Sequence, residues 1–496
     1  MITVLGNAKR ACDGVSRREV LRAGAVSLLG GMTLPRLLEA ETVGRAARAA
    51  GDDAARWLKP GKAKSVILLN LFGGPPTQDI FDLKPKAPLE IRGPFKPIST
   101  SAPGVQICEH LPKTAQWMHR AALVRSLNRP GNDHVALPML SGYTGPPLPG
   151  SQMSHVATDA DPPSMGSVCS YLGMGRQGCP PYVHMPCDLG WGQLTKRSGQ
   201  YAGFLGKQHN PLVTECTPSV ALPASSELPQ IVRGTPRLPN LSGEIAIDRL
   251  RTRRSLLEQF EASLREQDET PSLTAYNQQY RAAFDLLTSS ECRAAFDLER
   301  EDPQIRDRYG RSLFGESVLT ARRLVERGAR FVTATYDVFW HSPGQFAMGK
   351  GDIDQQSWDL HYNTHRFLRE LLLPQLDMVF TALMEDLERT GLLDETLVIV
   401  MGEMGRAAKI NRDAGRDHWT ACYAMLMAGA GIQGGAVYGS SDRRAEYPNT
   451  HPVTPGDVCA TVYRCLGVYP EMTVRDRTNR PILISHGGRP IEAILA

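Results

Sequence analysis

The amino-acid sequence predicts an α/β fold in which helices flank a doubly wound, mostly parallel sheet. Two observations predict it. Short apolar runs, each about the length of one buried strand, alternate along the chain with longer segments of helical periodicity. The first run, residues 65–72, stops at Gly73-Gly74-Pro75-Pro76, which is typical of a central parallel strand.

The other elements follow in chain order. The predicted strands, each a short apolar run, are residues 65–72, 121–126, 330–334, 396–401 and 423–428. The predicted helices, each with apolar residues at helical spacing, are residues 243–298, 317–327, 367–390 and 454–466. Gly391 follows the third of these as a C-cap signal. Residues 150–220 are rich in Gly, Pro, Cys and His and predict long surface loops that cap the sheet.

The first 50 residues have the layout of an export signal. Ser16-Arg17-Arg18 precedes a short apolar run and then small residues suited to cleavage. Paired arginines are typical of the twin-arginine type, so the predicted partner is the twin-arginine export machinery and the predicted location is periplasmic or extracellular. An ordinary N-terminal helix is the alternative. The run is too short to span a bilayer, and we predict no stable membrane span.

Composition narrows the class of protein further. The chain has 496 residues, of which 42% are hydrophobic and 22% charged, as in an ordinary globular protein. Its formal net charge of +4 is too small for its length to predict nucleic acid as a partner. We therefore predict one α/β domain over residues 51–496, with a loop-rich insertion at about 150–240, after the signal peptide and spacer of residues 1–50.

Acidic and histidine side chains cluster next to the predicted strands. In sheets of this kind, ligands bind beyond the carboxyl ends of the strands. The five clusters are Asp79 with Asp82, Asp133-His134, Asp359-Leu360-His361, Glu403-Met404-Gly405-Arg406 and Arg416-Asp417-His418. Carboxylates and imidazoles together predict a divalent metal ion, with Zn, Mn, Ca and Mg left open. The alternative for any single pair is a surface or capping role.

All of these clusters except Asp133-His134, together with Leu71-Phe72-Gly73-Gly74-Pro75 and Arg308-Tyr309-Gly310, resemble a bacterial exported family called domain of unknown function 1501. That family is sulfatase-like and belongs to the alkaline phosphatase superfamily. The resemblance runs from the paired arginines to about Gly467, and it implies the same sulfatase-like α/β fold. Superfamily members hold two metal ions at the strand ends.

The resemblance implies a set of site residues. The implied metal ligands are Asp79, Asp359, His361, Glu403, Asp417 and His418, with Asp82 as a substitute for Asp79 and His365 as a neighbour of His361. Asp133 or His134 is the candidate general base. Arg406 or Arg416 is the candidate for binding an anionic substrate through two hydrogen bonds. The alternatives are a buried ion pair between Arg406 and Glu403, and a turn capped by Asp417-His418.

Two departures from the superfamily pattern leave the function open. Met404 stands where a ligand His is expected, and no Ser, Thr or Cys lies clearly at the nucleophile position, although Ser126 is near it. The first hypothesis is an exported metal-dependent hydrolase acting on sulfate or phosphate esters of a small molecule or polysaccharide. The second is a non-catalytic envelope or binding protein that retains the fold.

Overall fold

A computed structural model describes residues 56–176, 178–189, 196–216, 219–220, 231–239, 290–336 and 358–496. The predicted signal of residues 1–50, and all but the end of the predicted helix at 243–298, lie outside these ranges. Within them, no helix is both long and apolar enough to cross a membrane.

An eight-stranded sheet forms the centre of the fold. Its strands are β1 Ser65–Leu71, β2 Ala121–Leu127, β3 Tyr182–Met185, β4 Leu212–Val213, β5 Phe331–Tyr336, β6 Thr396–Met401, β7 Tyr423–Gly429 and β8 Val437–Tyr438. Their order in the sheet is β8-β2-β7-β6-β1-β5-β3-β4. Every pairing is parallel except the two made by β7. The predicted mostly parallel sheet is confirmed.

Strand β1 lies in the middle of this sheet. It pairs in parallel with β6 on one side and β5 on the other, and all seven of its residues are buried. Ile67 and Leu69 pack into the core on one face of the sheet, whereas Val66 and Leu68 pack into the core on the other. Burial on both faces explains why this segment is apolar almost throughout instead of alternating.

Helices cover both faces of the sheet. They are α1 Thr77–Ile80, α2 Leu89–Arg92, α3 Leu137–Ser141, α4 Met165–Tyr171, α5 Ser290–Phe296, α6 Pro303–Arg308, α7 Leu313–Glu326, α8 Thr364–Phe367, α9 Leu373–Arg389 and α10 Pro455–Leu466. Helices α7 and α9 pack on the face of Ile67, and α4 and α10 pack on the face of Val66. The result is a three-layer α/β arrangement.

Shorter elements connect these layers. The 3₁₀ turns are Thr114–Arg120, Gly203–Leu205, Lys207–His209, Leu298–Arg300 and Glu492–Ile494. Antiparallel strand pairs outside the sheet are Pro97–Ser99 with Gln106–Cys108, Ser219–Val220 with Val232–Arg233, Gly405–Arg406 with His418–Trp419, Ser440–Ser441 with Pro448–Thr450, and Thr473–Arg475 with Pro481–Leu483. The pair formed by 405–406 and 418–419 carries part of the site described below.

The segment predicted as long surface loops, residues 150–220, contains regular structure. It holds helix α4 and strands β3 and β4, so this prediction was wrong in part. Strand β3 has only four residues, includes His184 and is bounded by Pro181 and Pro186, yet it is completely buried beside β5. Four residues are too few for a periodic pattern, and the flanking prolines resemble loop punctuation.

The long helix predicted over 367–390 is interrupted near its start. A π-helical turn, Leu368–Leu372, separates α8 from α9. Pro374 lies in the first turn of α9, where a helix does not need the backbone N–H that proline lacks. Pro374 nevertheless cannot donate a hydrogen bond to the turn that precedes α9. The wider π turn accommodates this lost hydrogen bond.

The carboxyl ends of the central strands meet at one edge of the sheet. In the registers of neighbouring strands, Asn70 near the end of β1 lies beside Met401, and Leu127 at the end of β2 lies beside Tyr423 at the start of β7. The loops after β1, β2 and β6, and the segment before β7, therefore gather at the same edge.

Buried His184 makes the stability of this fold depend on pH. Burial lowers the pKa of His184 to about 3, whereas an exposed imidazole has a pKa near 6.5. The unfolded chain therefore takes up a proton that the folded chain excludes between these values. We expect His184 to reduce the free energy of unfolding by about 1.4 kcal/mol per pH unit as the pH falls from 6.5 towards 3.

Urea unfolding of the wild type and His184→Asn at pH 7.5, 5.5 and 4.5 measures this effect. The stability difference between the two proteins should shrink as the pH falls, because only the wild type carries the titrating group. A difference that stays constant across this range would contradict the expectation.

Candidate metal centre

Three side chains from distant parts of the chain converge at the carboxyl edge of the sheet. His134 follows β2, Asp359 precedes α8, and His418 lies in the short strand before β7. One ligand atom from each of these residues lies within 4.8 Å of the other two. The set of two imidazoles and one carboxylate is one that divalent metal ions prefer.

Asp359 is the residue around which the group is arranged. Its Oδ2 lies 3.1 Å from His134 Nε2, and its Oδ1 lies 3.3 Å from His418 Nε2. A third imidazole joins them, since His361 Nε2 lies 3.0 Å from Asp359 Oδ1 and 3.0 Å from His418 Nε2. Three Nε2 atoms therefore face a single carboxylate.

The backbone around β1 allows this close approach. Gly73, directly after β1, has φ = +118°, and a Cβ placed on it would lie 2.4 Å from the backbone nitrogen of Asp359. Only glycine fits this position, because a side chain would meet fixed backbone atoms. Trp358, completely buried beside Tyr336, anchors the segment on its other side.

The donor atoms fit a divalent ion. His134 Nε2 is buried and has no hydrogen-bond partner within the described ranges, although it lies 3.1 Å from Asp359 Oδ2. His361 and His418 turn their Nε2 atoms towards each other at 3.0 Å. In a four-coordinate zinc site with ligand distances of about 2.0–2.1 Å, neighbouring ligand atoms lie at similar separations. An ion held by His134, Asp359 and His418 would give His134 Nε2 the partner that it lacks.

The pKa values of Asp359 and His134 at the centre are shifted in opposite directions. Burial opposes ionisation of Asp359, but its contacts with the three imidazoles and the charge of Arg406 hold the pKa of its carboxyl well below the usual range. Burial also disfavours a charged His134, yet the contacts with Asp359 and Glu403 outweigh it and raise the pKa of His134 to about 9. Asp359 is therefore a carboxylate at neutral pH, ready to attract a cation.

Arg406 supports Asp359 from behind. Its Nη2 donates to Asp359 Oδ1 and to the carbonyl of Gly73, and its Nε donates to the carbonyl of Gly74 at 3.1 Å. Its Nη1 lies 3.2 Å from both His361 Nε2 and the carbonyl of Arg416. All five N–H donors of Arg406 thus have acceptors, and the residue is completely buried. It offers no free donor to a substrate anion.

Asp79, an expected metal ligand, is engaged in a different cluster. Arg416 binds it through two hydrogen bonds, Nε to Oδ2 at 2.6 Å and Nη2 to Oδ1 at 2.8 Å, and His365 Nε2 lies 3.1 Å from Oδ1. The remaining donors of Arg416 bind the carbonyls of Ile91, Ala407 and Ala408. Both Asp79 and Arg416 are completely buried. Burial opposes ionisation, but mainly the charge of Arg416 lowers the pKa of Asp79.

The other expected carboxylates have different surroundings. Asp133 lies 3.4 Å from Arg129 and has 48% of its side chain exposed. Asp417 has 64% of its side chain exposed and lies 3.0 Å from Asn411 Nδ2 and 3.5 Å from His361 Nδ1. Glu403 lies behind His134, with its Oε1 2.6 Å from His134 Nδ1. Of the predicted ligands, the structure therefore brings Asp359, His361 and His418 together.

His134, predicted as a general base, joins these three as a potential ligand. The position of His134 shortly after the end of strand β2 is the feature of the sequence that could have indicated a role as a ligand. Met404, which stands where the resemblance implies a His, is completely buried, and its Cγ lies 3.0 Å from the place that a Cβ on Gly74 would take. Ser126 is also buried, and its Oγ donates to the carbonyl of His451 at 2.6 Å.

A family model now fits these observations. The model described as "Protein of unknown function (DUF1501)" matches residues 63–495. The chain belongs to this family. The resemblance drawn from the motifs is thereby confirmed. No curated protein matches this DUF1501 chain.

Several solved structures are similar to this DUF1501 protein at low identity. A sulfatase from Pseudoalteromonas sp. is 14% identical, with a TM-score of 0.35 over 87% of this chain and 72% of that one. An alkaline phosphatase superfamily protein from Vibrio parahaemolyticus is 10% identical, with a TM-score of 0.33 over 92% and 78%. A phosphonate monoester hydrolase from Silicibacter pomeroyi is 13% identical, with a TM-score of 0.32 over 77% and 71%.

The close approach at Gly73 leads to a prediction. Gly73→Ala should lower the free energy of unfolding by more than Gly104→Ala, although both positions have positive φ. Gly104 has nothing within 4 Å of an added Cβ, so its substitution costs only the conformational penalty of about 1–2 kcal/mol. At Gly73 the added Cβ would also clash with the backbone nitrogen of Asp359, so the loss of stability should be larger. Equal losses in urea unfolding would show that the contact at Gly73 is unimportant.

The Asp79–Arg416 pair leads to a second prediction. Arg416→Met should destabilise the protein by roughly 3–5 kcal/mol, because it leaves the Asp79 carboxylate buried without its partner. Arg412→Met is the matched control, since 93% of the Arg412 side chain is exposed, and it should change stability by no more than about 0.5 kcal/mol. Thermal and urea unfolding of both variants measure the difference. A loss at Arg416 no larger than that at Arg412 would contradict a structural role for the pair.

Proposed function

We propose that this protein is an exported metal-dependent hydrolase that acts on sulfate or phosphate esters. The observation that carries the proposal is the convergence of His134, Asp359 and His418 within 4.8 Å at the carboxyl edge of the sheet. Export is supported by the paired arginines Arg17-Arg18 and the apolar run that follows them. The esters covered are those of small molecules and of polysaccharides.

His134, Asp359 and His418 would hold the ion in this proposal. A divalent ion held there would supply Lewis acidity, which lowers the pKa of a water molecule and polarises an ester oxygen. Water is then the nucleophile, which agrees with the buried hydroxyl of Ser126 being bonded to a carbonyl. The identity of the ion is open among Zn, Mn, Ca and Mg.

The role of general base falls to His361. Asp133 is held by Arg129, and the two nitrogens of His134 face Glu403 and Asp359. His361 has the largest exposed side-chain fraction of the three clustered imidazoles, 29% against 12% for His134 and 24% for His418. Because His361 is the most exposed of the three, it is our candidate to take the proton of the attacking water.

An anionic ester suits the charge of this centre. Arg406 offsets the Asp359 carboxylate at direct contact, and Glu403 contributes one further negative charge. Among the groups that contact the three ligand side chains directly, a divalent ion exceeds that remaining charge by one, so this inner group is net positive; the largely exposed Asp417 carboxylate lies outside it, beside His361. A net positive centre attracts a sulfate or phosphate ester more strongly than a neutral one.

The second candidate function is a non-catalytic envelope or binding protein that retains the fold. Two observations favour it. Met404 is completely buried in place of the expected ligand His, and Arg416 occupies both oxygens of Asp79, the expected first-strand ligand. In this case the centre would bind an ion for stability, and ester turnover would be absent.

Elemental analysis of the purified protein tests the proposal. The wild type should carry about one divalent ion per chain, and Asp359→Ala combined with His418→Ala should carry none, because it removes two of the three ligands. The matched control combines Asp394→Ala with His119→Ala, which removes an exposed Asp and an exposed His near the opposite edge of the sheet. The control should bind the ion like the wild type.

Ester hydrolysis distinguishes the two candidate functions. Loaded wild type and control should hydrolyse aryl sulfate or phosphate esters at rates that the ligand variant loses. An ion bound without any ester turnover would favour the non-catalytic protein. No bound ion in folded wild type would overturn the proposal.

A further inference from the structure

Glu403 lies directly behind the imidazole of His134. Its Oε1 is 2.6 Å from His134 Nδ1, and both carboxylate oxygens are 3.1 Å from the backbone nitrogen of Gly73, which donates to them. Arg129 Nε donates to the carbonyl of Glu403 at 2.9 Å. The residue is 1% exposed. Both its side chain and its backbone are therefore held in place.

We infer that Glu403 is a positioning residue that aims His134 at the metal, and that it does not bind the ion itself. The inference rests on the proposed function. With Nδ1 bound by Glu403, the Nε2 of His134 is the nitrogen that faces Asp359. A carboxylate on one imidazole nitrogen orients the ring and makes the other nitrogen a better ligand.

The same contacts keep the Glu403 carboxylate off the ion. The two ring nitrogens of His134 point in different directions, and Glu403 is on the Nδ1 side while Asp359 is on the Nε2 side. To bind the ion, Glu403 would have to release His134 Nδ1 and the backbone nitrogen of Gly73. Such a movement is unfavourable because it leaves both buried donors without an acceptor.

A second carboxylate–imidazole contact in the same centre provides an internal comparison. Asp417 Oδ1 lies 3.5 Å from His361 Nδ1, and 64% of the Asp417 side chain is exposed. This contact is longer and open to water, so it orients its imidazole weakly. Asp417→Asn is therefore the matched control for substitutions at Glu403.

Metal affinity and NMR together test the inference. Zn²⁺ affinity is measured by competition with a chelator for wild type, Glu403→Ala, Glu403→Gln and Asp417→Asn. Glu403→Ala should weaken binding by about 10- to 100-fold without abolishing it. Asp417→Asn should weaken it by no more than about fivefold. Glu403→Gln keeps an acceptor of similar size, so it should bind more tightly than Glu403→Ala.

The proton on His134 Nδ1 separates a positioning role from direct ligation. In ¹⁵N-histidine-labelled protein its downfield signal, assigned by its loss in His134→Gln, should be present with and without Zn²⁺ and should be lost in Glu403→Ala. Loss of this signal on Zn²⁺ binding to wild type would overturn the inference, because the carboxylate would then have moved to the ion. Unchanged Zn²⁺ affinity in Glu403→Ala would also overturn it.

Two features keep this result separate from the test of the proposed function. A wild type that binds no Zn²⁺ defeats the proposed function, whereas the His134 signal in metal-free protein still shows whether Glu403 holds the ring. Thermal unfolding checks the fold of each variant. Should Glu403→Ala fail to fold, the affinity and NMR signal of Glu403→Gln decide the matter, with weakened binding and a shifted signal expected.

Discussion

The buried charge of Asp359 is the constraint on which the centre depends. A carboxylate at 8% exposure is costly unless it is paired, and here three imidazoles and Arg406 surround it. His361 lies on the same segment as Asp359, His134 follows β2, and Arg406 and His418 lie in the paired strands 405–406 and 418–419. Satisfying one charge therefore fixes four segments of chain at the same edge of the sheet. The glycine at position 73 is required because this arrangement brings the Asp359 backbone against the end of β1. The close packing at Gly73 and the ion pairs of Asp359 therefore hold the Asp359 segment in the same position.

Two buried arginines, Arg406 and Arg416, form separate clusters at the carboxyl edge of the sheet. Arg416 and Asp79 neutralise each other completely, with every donor of Arg416 engaged, and they tie the loop after β1 to the segment before β7. Arg406 also has all its donors engaged, but its acceptors include Asp359 and His361 of the candidate centre. The carbonyl of Arg416 accepts a hydrogen bond from Arg406, so the structural pair directly supports the candidate centre.

Much of this arrangement could be predicted from the sequence, and the reasons for the rest are physical. Long apolar runs such as residues 65–71 and 396–401 identify central strands because burial on both faces leaves few polar positions. Strand β3 was not predicted, because a segment of four residues that includes a histidine resembles a loop. At the site, clusters of acids and histidines beside predicted strands singled out the segments of Asp359, His361 and His418, and the family resemblance implied that these residues are ligands. Neither could show that the oxygens of Asp79 would be taken by Arg416, 337 residues away, since that depends on three-dimensional packing.

The residues of the candidate centre are far apart along the chain, and this has a consequence for folding. His134 and Glu403 are 269 residues apart, and His418 is a further 15 residues beyond Glu403. No short segment of the unfolded chain can therefore assemble the ligand set, and an ion would select only the complete native state. An ion present at 100 times its dissociation constant would add about 2.7 kcal/mol to stability. It would act as a late crosslink between segments of the chain that are far apart in the sequence.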